Sequence, residues 1–250
     1  MNDLENKIAL VTGGGSGIGQ AIAMKYASEG ATVIVSDIDQ KGGEETVSMI
    51  HENKGKAKFI KADSSNVSDN ERIVNEIMKE YGQLDIACNN AGIGGPLAMT
   101  GEYPIEGWDK VIAINLSGVF YGMRFQIPAM LKSGGGKIVN ISSIYGASGA
   151  KLSPAYVAAK HGVVGLTKSA ALEYADQNIR INSVGPAFID TPLLSAIPDE
   201  VRKSLAQRHA LGRLGESKEV AEMVLWLSSD KSSFSTGAYY PVDGGFLARQ

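Results

Sequence analysis

Residues 8–19 read Ile8-Ala9-Leu10-Val11-Thr12-Gly13-Gly14-Gly15-Ser16-Gly17-Ile18-Gly19. A short apolar run gives way to a glycine cluster, and from Ile18 to Glu29 apolar residues recur at helical spacing. The stretch predicts a strand, a tight turn and a helix, the opening of a βαβ unit. Glycines at such a junction let the backbone approach a pyrophosphate. The first helical turn adds free N–H groups and the positive end of its dipole. A glycine cluster alone could be an unliganded turn. Its place between strand and helix favours a nucleotide, with Gly13, Ser16, Gly17, Ile18 and Gly19 as contacts.

The same alternation continues along the chain. Short runs rich in β-branched residues at 8–11, 32–35, 59–60, 84–88, 137–141, 181–184 and 239–242 predict strands. Several are almost wholly apolar, as strands covered on both faces should be. Helical spacing marks 18–29, 40–52, 69–81, 108–131, 155–174 and 218–228. Ser153-Pro154 predicts an N-cap and a first-turn proline, while Gly30, Gly55 and Gly82 mark helix ends. The fold expected is α/β: a single-domain doubly wound Rossmann fold spanning 1–250, with a seven-stranded parallel sheet and helices on both faces. Two stretches, 92–107 and 186–215, lack regular pattern. Each follows a strand and should overlie the carboxyl edge of the sheet, the second as a substrate loop.

Bulk properties bound the function. The chain has 250 residues, 44% of them hydrophobic, and a net charge of −3 without a basic block, so nucleic acid is not an expected partner. Cys88 is the one cysteine, which excludes an intrachain disulfide and suits a reducing cytoplasm. Residues 1–6 are polar and acidic, unlike a signal peptide, and no apolar run is long enough to span a bilayer. His51, His161 and His209 are scattered without metal-ligand spacing, so no metal site is expected.

The second predicted strand ends at Ser36-Asp37, 18 residues beyond Gly19. A carboxylate there accepts hydrogen bonds from the adenosine ribose and repels a 2′-phosphate. Ile38 follows it and no cation lies within 14–16, so NAD(H) is expected rather than NADP(H). Tyr156-Val157-Ala158-Ala159-Lys160 places a phenol and an ammonium on one helix face. Chance readily supplies one such pair, so its meaning comes from its neighbours.

With Asn89-Asn90-Ala91-Gly92, Asn115, Ser143 (13 residues before Tyr156) and the closing Val242-Asp243-Gly244-Gly245, the chain resembles the short-chain dehydrogenase/reductase family over its whole length. The resemblance implies an enzyme that interconverts a ketone and a secondary alcohol, with Ser143, Tyr156, Lys160 and Asn115 as its catalytic set. Tyr156 would be the reversible proton donor. A free phenol titrates near 10, and bringing it to neutrality takes about 4 kcal/mol, which Lys160 and the cationic oxidised cofactor would supply. Ser143 would hold the substrate oxygen. Asn115 would anchor a water leading from Lys160 to solvent, or else bond to backbone within its helix.

The resemblance further implies cofactor contacts from Asp63 and Ser64 to the adenine and from Asn90 to the ribose. Pro186, Ile189 and Thr191 would lie at the nicotinamide, with Tyr156 and Lys160 completing the set. Asn89 is expected to tie strands together. Where the family reads Pro-Gly, this chain has Pro186-Ala187, and the added methyl brings the local backbone geometry into question.

Expected pocket walls are 94–97 including Leu97, Tyr145, Leu152, Phe188 and the 193–205 segment including Leu205. They are mostly apolar, which fits a neutral hydrophobic ketone. A 3-oxoacyl-carrier-protein reductase is the alternative. Such enzymes offer arginines before the fifth and sixth strands, where this chain has Gly134 and Gln177. A non-catalytic NAD-binding sensor should lack part of the Ser/Tyr/Lys set, which is complete here. Helices 108–131 and 155–174 carry apolar residues on more than one face, and the chain ends in apolar Phe246-Leu247-Ala248. With the family's habit of pairing through these elements, they point to a homotetramer.

Overall fold

Every residue of β1 (Ile8–Thr12) is buried, and the strand's two-residue period divides it between two cores. Ala9 and Val11 join a cluster with Ile22 and Tyr26 of α1 (Gly17–Ser28), while Ile8 and Leu10 join one with Ile73 and Ile77 of α3 (Val67–Tyr81). A strand apolar on both faces must be covered on both faces, and the other elements arrange themselves accordingly. In this computed structural model, residues 3–195 and 197–249 are described. β2 (Thr32–Asp37), α2 (Gln40–Glu52), β3 (Lys56–Lys61) and β4 (Ile86–Asn89) complete the first half. α4 (Ile105–Ile112), α5 (Gly118–Lys132), β5 (Gly136–Ile141), α6 (Pro154–Tyr174) and β6 (Ile179–Pro186) follow. The chain then runs through β7 (Ile189–Asp190), α7 (Pro192–Ser195), α8 (Asp199–Gln207), β8 (Gly215–Glu216), α9 (Ser217–Ser228) and β9 (Tyr239–Val242).

The main sheet has seven strands in the order β3-β2-β1-β4-β5-β6-β9, all parallel, as expected. The order reverses between β1 and β4, which opens a crevice at their carboxyl ends. Residues of α1, α2 and α9 pack on one face, and residues of α3, α5 and α6 on the other. Cys88 lies in β4 with its side chain fully buried, where burial pushes its thiol well above the usual range.

Four local expectations need correction. The helix expected over 108–131 starts at Ile105 and is interrupted by a wider turn, Ala113–Ser117, in which Gly118 N–H bonds to the Ala113 carbonyl. One residue too many for α-helical pitch is accommodated there as a π-bulge. β3 is six residues rather than two; it is a sheet edge, so its lysines alternate with Ala57 and Phe59 and no continuous apolar run marks it. The 186–215 stretch holds α7, α8 and the β7–β8 pair, and α8 begins directly after Pro198. Ser153 does occupy the N-cap of α6 ahead of Pro154, but its side chain does not cap.

Candidate active site

The carboxyl ends of the strands bring the predicted residues to one edge. At the β1–α1 turn Gly13 has φ +63°, and a Cβ on it would lie 2.8 Å from Ala91 Cα. A Cβ on Gly19 would come within 2.0 Å of the Gly13 carbonyl oxygen, so only glycine lets the turn close this tightly. Ser16 sits at the N-cap of α1 without a side-chain cap, leaving first-turn N–H groups for a ligand. Asn90 is turned onto this loop: its amide donates to the Thr12 and Gly13 carbonyls at 3.1 and 3.0 Å. It therefore shapes the glycine turn. Thr191 borders the same turn, its methyl 3.3 Å from where a Gly17 Cβ would be.

At the end of β2, Asp37 accepts the Gly15 N–H at one carboxylate oxygen and the Asp39 N–H at the other, both at 2.9 Å. Its position is thereby fixed beside the glycine turn, and Ile38 stands exposed next to it. Asp63 follows β3 and accepts from the Ser65 N–H and hydroxyl, while the Ser64 carbonyl accepts from the Asn70 amide. Pro186 and Ile189 are buried at the end of β6 and in β7. Ala187 donates its N–H to the Val242 carbonyl at 3.1 Å and is not among the residues with positive φ. The position does not require glycine here, which answers the question raised by its methyl. A glycine turn that a Cβ would fill, an uncapped helix N-terminus and a fixed carboxylate at the next strand end together fit a nicotinamide dinucleotide.

Tyr156 and Lys160 lie on α6, one turn apart, against the end of β5. The Ser143 hydroxyl beside the Tyr156 phenol lowers its pKa, and burial raises it more. Lys160 is 4% exposed and donates to the Ile141 carbonyl at 2.8 Å, with its ammonium 5.5 Å from the Tyr156 ring centroid. Burial lowers its pKa from 10.5 to about 8. The two adjacent serines separate by geometry. The Ser142 hydroxyl donates to the Lys160 carbonyl at 2.9 Å and joins strand to helix, leaving Ser143 to face the phenol.

Asn115 is buried in the wider turn between α4 and α5. Its Oδ1 accepts the Ile93 N–H and its Nδ2 donates to the Ile93 carbonyl, both at 2.8 Å, so the side chain bonds to the backbone of a loop rather than of its own helix. It clamps the loop after β4 beside Lys160, where a Cβ on Gly92 would lie 3.2 Å from Asn115 Oδ1 and 3.7 Å from Lys160 Nζ. Beneath the site, Asn89 exchanges hydrogen bonds with Gln126 and bonds Asn140, which reaches Thr167. Asn89 thus ties β4 to β5 and α5, as expected.

Of the expected pocket walls, Tyr145 and Phe188 meet at the reacting centre. Tyr145 makes edge-on ring contacts with Tyr156 at 6.5 Å and with Phe188 at 6.2 Å. Leu97 and Leu152 stand exposed on two loops joined by the Ala98 N–H to the Leu152 carbonyl. Leu205 is half-buried on α8; within the 193–205 segment, Ala196 and the side chains of Leu193 and Ser195 lie outside the described residues. Sequence reading missed Tyr239, whose hydroxyl donates to the Ser143 carbonyl at 2.9 Å across Gly185. A Cβ on Gly185 would sit 2.1 Å from that hydroxyl oxygen. A glycine inside an apolar strand was the available signal.

The comparisons agree with this architecture. The family model described as enoyl-(acyl carrier protein) reductase matches residues 13–247. The chain belongs to the short-chain dehydrogenase/reductase family. It is 46% identical to cyclohexanol dehydrogenase of Acinetobacter sp. (strain SE19), covering 99% of this chain and 98% of that one. It is 41% identical to 3-oxoacyl-(acyl-carrier-protein) reductase of Thermotoga maritima, covering 98% and 99%. The crystal structure of levodione reductase superposes with a TM-score of 0.96 at 35% identity, covering 99% of this chain and all of that one. A putative 2-deoxy-D-gluconate 3-dehydrogenase from Agrobacterium tumefaciens, solved with bound NADP, gives 0.91 at 35% identity over 99% and 98%. This chain is therefore an oxidoreductase of a family that binds nicotinamide cofactors.

Proposed function

We propose that the chain interconverts neutral, hydrophobic secondary alcohols and ketones with NAD(H), with six-membered alicyclic substrates among them. The observation that carries this reading is the Ser143–Tyr156–Lys160 cluster beside the glycine cradle, walled by the Tyr145 and Phe188 rings. The cyclohexanol dehydrogenase relative supports the ring substrate, and Asp37, held beside the glycine turn without a neighbouring arginine, supports NAD(H). When bound, the nicotinamide supplies or accepts the hydride. Ser143 hydrogen-bonds the substrate oxygen. The Tyr156 phenol, kept protonated by burial, gives its proton to that oxygen in reduction, and the nearby Lys160 ammonium stabilises the phenolate left behind. Asn115 positions the loop that covers Lys160.

A panel of cyclic and acyclic ketones assayed with NADH and NADPH tests this. Cyclohexanone reduction with NADH is expected, and a chain active on sugars or dicarboxylates but not on apolar ketones would refute it. The Thermotoga relative favours one second reading, reduction of a 3-oxoacyl group on a carrier protein. Turnover of acetoacetyl-carrier protein far above that of cyclohexanone would establish it.

We further propose that the protein works in the cytoplasm as a homotetramer. Support for assembly is narrower than the sequence implied. Val111, Val119, Val163 and Val164 are buried within one chain, and Phe246 is 4% exposed because it packs on Tyr145 and Phe188 of its own subunit. The large apolar side chains that stay exposed within 108–131 and 155–174 are Trp108 on α4, Phe120 and Leu131 on α5, and Leu172 on α6. Light scattering at micromolar concentration should give four times the 26.4 kDa chain mass, and a monomer would refute the assembly. Among the described residues, no helix is long and apolar enough to cross a membrane.

A further inference from the structure

His209 follows α8 and is 3% exposed, although no part of the chemistry above uses it. Its Nε2 lies 3.3 Å from the Phe188 backbone nitrogen. The backbone N–H can only donate, so Nε2 must be unprotonated for this bond to exist. The Phe188 carbonyl is held from the other side by the Gly215 N–H at 3.0 Å. Phe188 is thus gripped at both ends of its peptide, in the segment that joins Pro186 to Ile189. The His209 ring also packs edge-on against Phe188 at 5.7 Å and against Phe246 at 6.2 Å. Phe188 in turn meets Tyr145, and Tyr145 meets Tyr156. A continuous file of rings therefore runs from His209 to the proton donor.

We propose that His209 is a positioning residue: as a neutral imidazole it fixes Phe188, and with it the ketone-binding wall beside Tyr145 and Tyr156, and on protonation it releases that wall. The proposal rests on the ketone-reductase reading of the site. An imidazolium offers only donors, so the Phe188 N–H would face a second N–H and lose its acceptor. Its surroundings oppose the charge. Arg208 lies over the Phe188 and Phe246 rings at 5.3 and 5.0 Å and disfavours a cation at His209. The buried Nδ1 has no hydrogen-bond partner among the described residues, while the backbone at Ala206 and Arg213 favours the cation. Of the other charged groups, Asp243 favours the cation, but its carboxylate already accepts the Gly245 and Leu247 N–H groups. Arg213 is paired with Glu219, and Arg249 donates to the Gln207 carbonyl. Burial outweighs the rest and holds the His209 pKa below its ordinary 6.5. The hold on Phe188 is therefore present at neutral pH and is lost as the pH falls through a native pKa that lies below 6.5.

Two variants separate this from a packing role. His209→Gln can place a carbonyl oxygen near the Nε2 position without titrating, and His209→Phe fills the space with no acceptor. In wild type, the ketone KM at saturating NADH should rise severalfold from pH 8 to pH 5. His209→Gln should keep the wild-type KM at pH 8 and lose that rise. His209→Phe should have a KM about tenfold higher at every pH, the fold-change of one lost hydrogen bond, with kcat less affected. Hydrogen exchange of the peptide containing Phe188 supplies a readout independent of turnover. Its protection should fall at low pH in wild type, persist in His209→Gln and be lost in His209→Phe. A His209→Gln enzyme that keeps the wild-type acid rise, or a His209→Phe enzyme with wild-type KM and protection, overturns the proposal. Should wild type reduce no ketone, the functional reading fails, and the exchange pattern alone decides the role of His209.

Discussion

Replacing Lys160 with methionine should stabilise the fold while stopping catalysis. The Lys160 side chain is 4% exposed and has one hydrogen bond, to the Ile141 carbonyl at 2.8 Å. Burial lowers its pKa from 10.5 to about 8, so the native state holds this proton far more weakly than the unfolded chain does. At ~1.4 kcal/mol per tenfold change in affinity, the buried ammonium costs the fold roughly 3 kcal/mol at pH 7. Methionine keeps the apolar stem and gives up the bond to Ile141, about 1 kcal/mol. The net gain is roughly 2 kcal/mol, or a rise in Tm of about 4–8 °C for a chain of this size. Below pH 8 both native and unfolded lysine are charged and the penalty is complete. Between about 8 and 10.5 the native state sheds its proton first, so wild-type stability climbs with pH and the advantage of methionine shrinks. Calorimetry of both proteins without cofactor from pH 7 to pH 10 measures this. A variant no more stable than wild type at pH 7, or one whose advantage does not change with pH, would refute the reasoning.

Tyr156→Phe should leave NADH binding unchanged by fluorescence titration and reduce kcat by about 10²-fold or more, because only the proton donor is removed. In wild type, NADH should exceed NADPH at least ~tenfold in kcat/KM, and Asp37→Ala should narrow that ratio; equal kinetics in wild type would remove the argument from the carboxylate. Tyr239→Phe removes the bond to the Ser143 carbonyl and should cost about 1 kcal/mol of stability and lower kcat severalfold; an unchanged kcat would show that Ser143 is placed without it.

Local pattern carried most of the fold because the strands of a doubly wound sheet are covered on both faces and read as apolar runs. It weakened where covering weakens, as at β3, and where a helix departs from its pitch, as at the turn containing Asn115. The Ser143–Tyr156–Lys160 set was legible only through the resemblance to a family, because the spacing of Tyr156 and Lys160 by itself arises readily by chance. Tyr239 and His209 were not, because each reaches the site through one backbone atom far away in sequence. No periodicity records such a partner. The partner of the Asn115 side chain was not legible for a related reason: a buried amide can bond to any nearby backbone, and Ile93 lies far from it in sequence.

Cys88 gives this molecule a clock of its own. It is the one thiol in the chain, and it sits in β4 between β1 and β5, in the middle of the sheet. A sulfhydryl reagent reaches it only when the sheet parts, so labelling reports the opening of the whole fold rather than fraying at an edge. Any molecule that binds the closed form slows that labelling in proportion to its occupancy. Affinities for either dinucleotide, and for ketones that are never turned over, can be read from one sulfur without adding a dye or changing a residue.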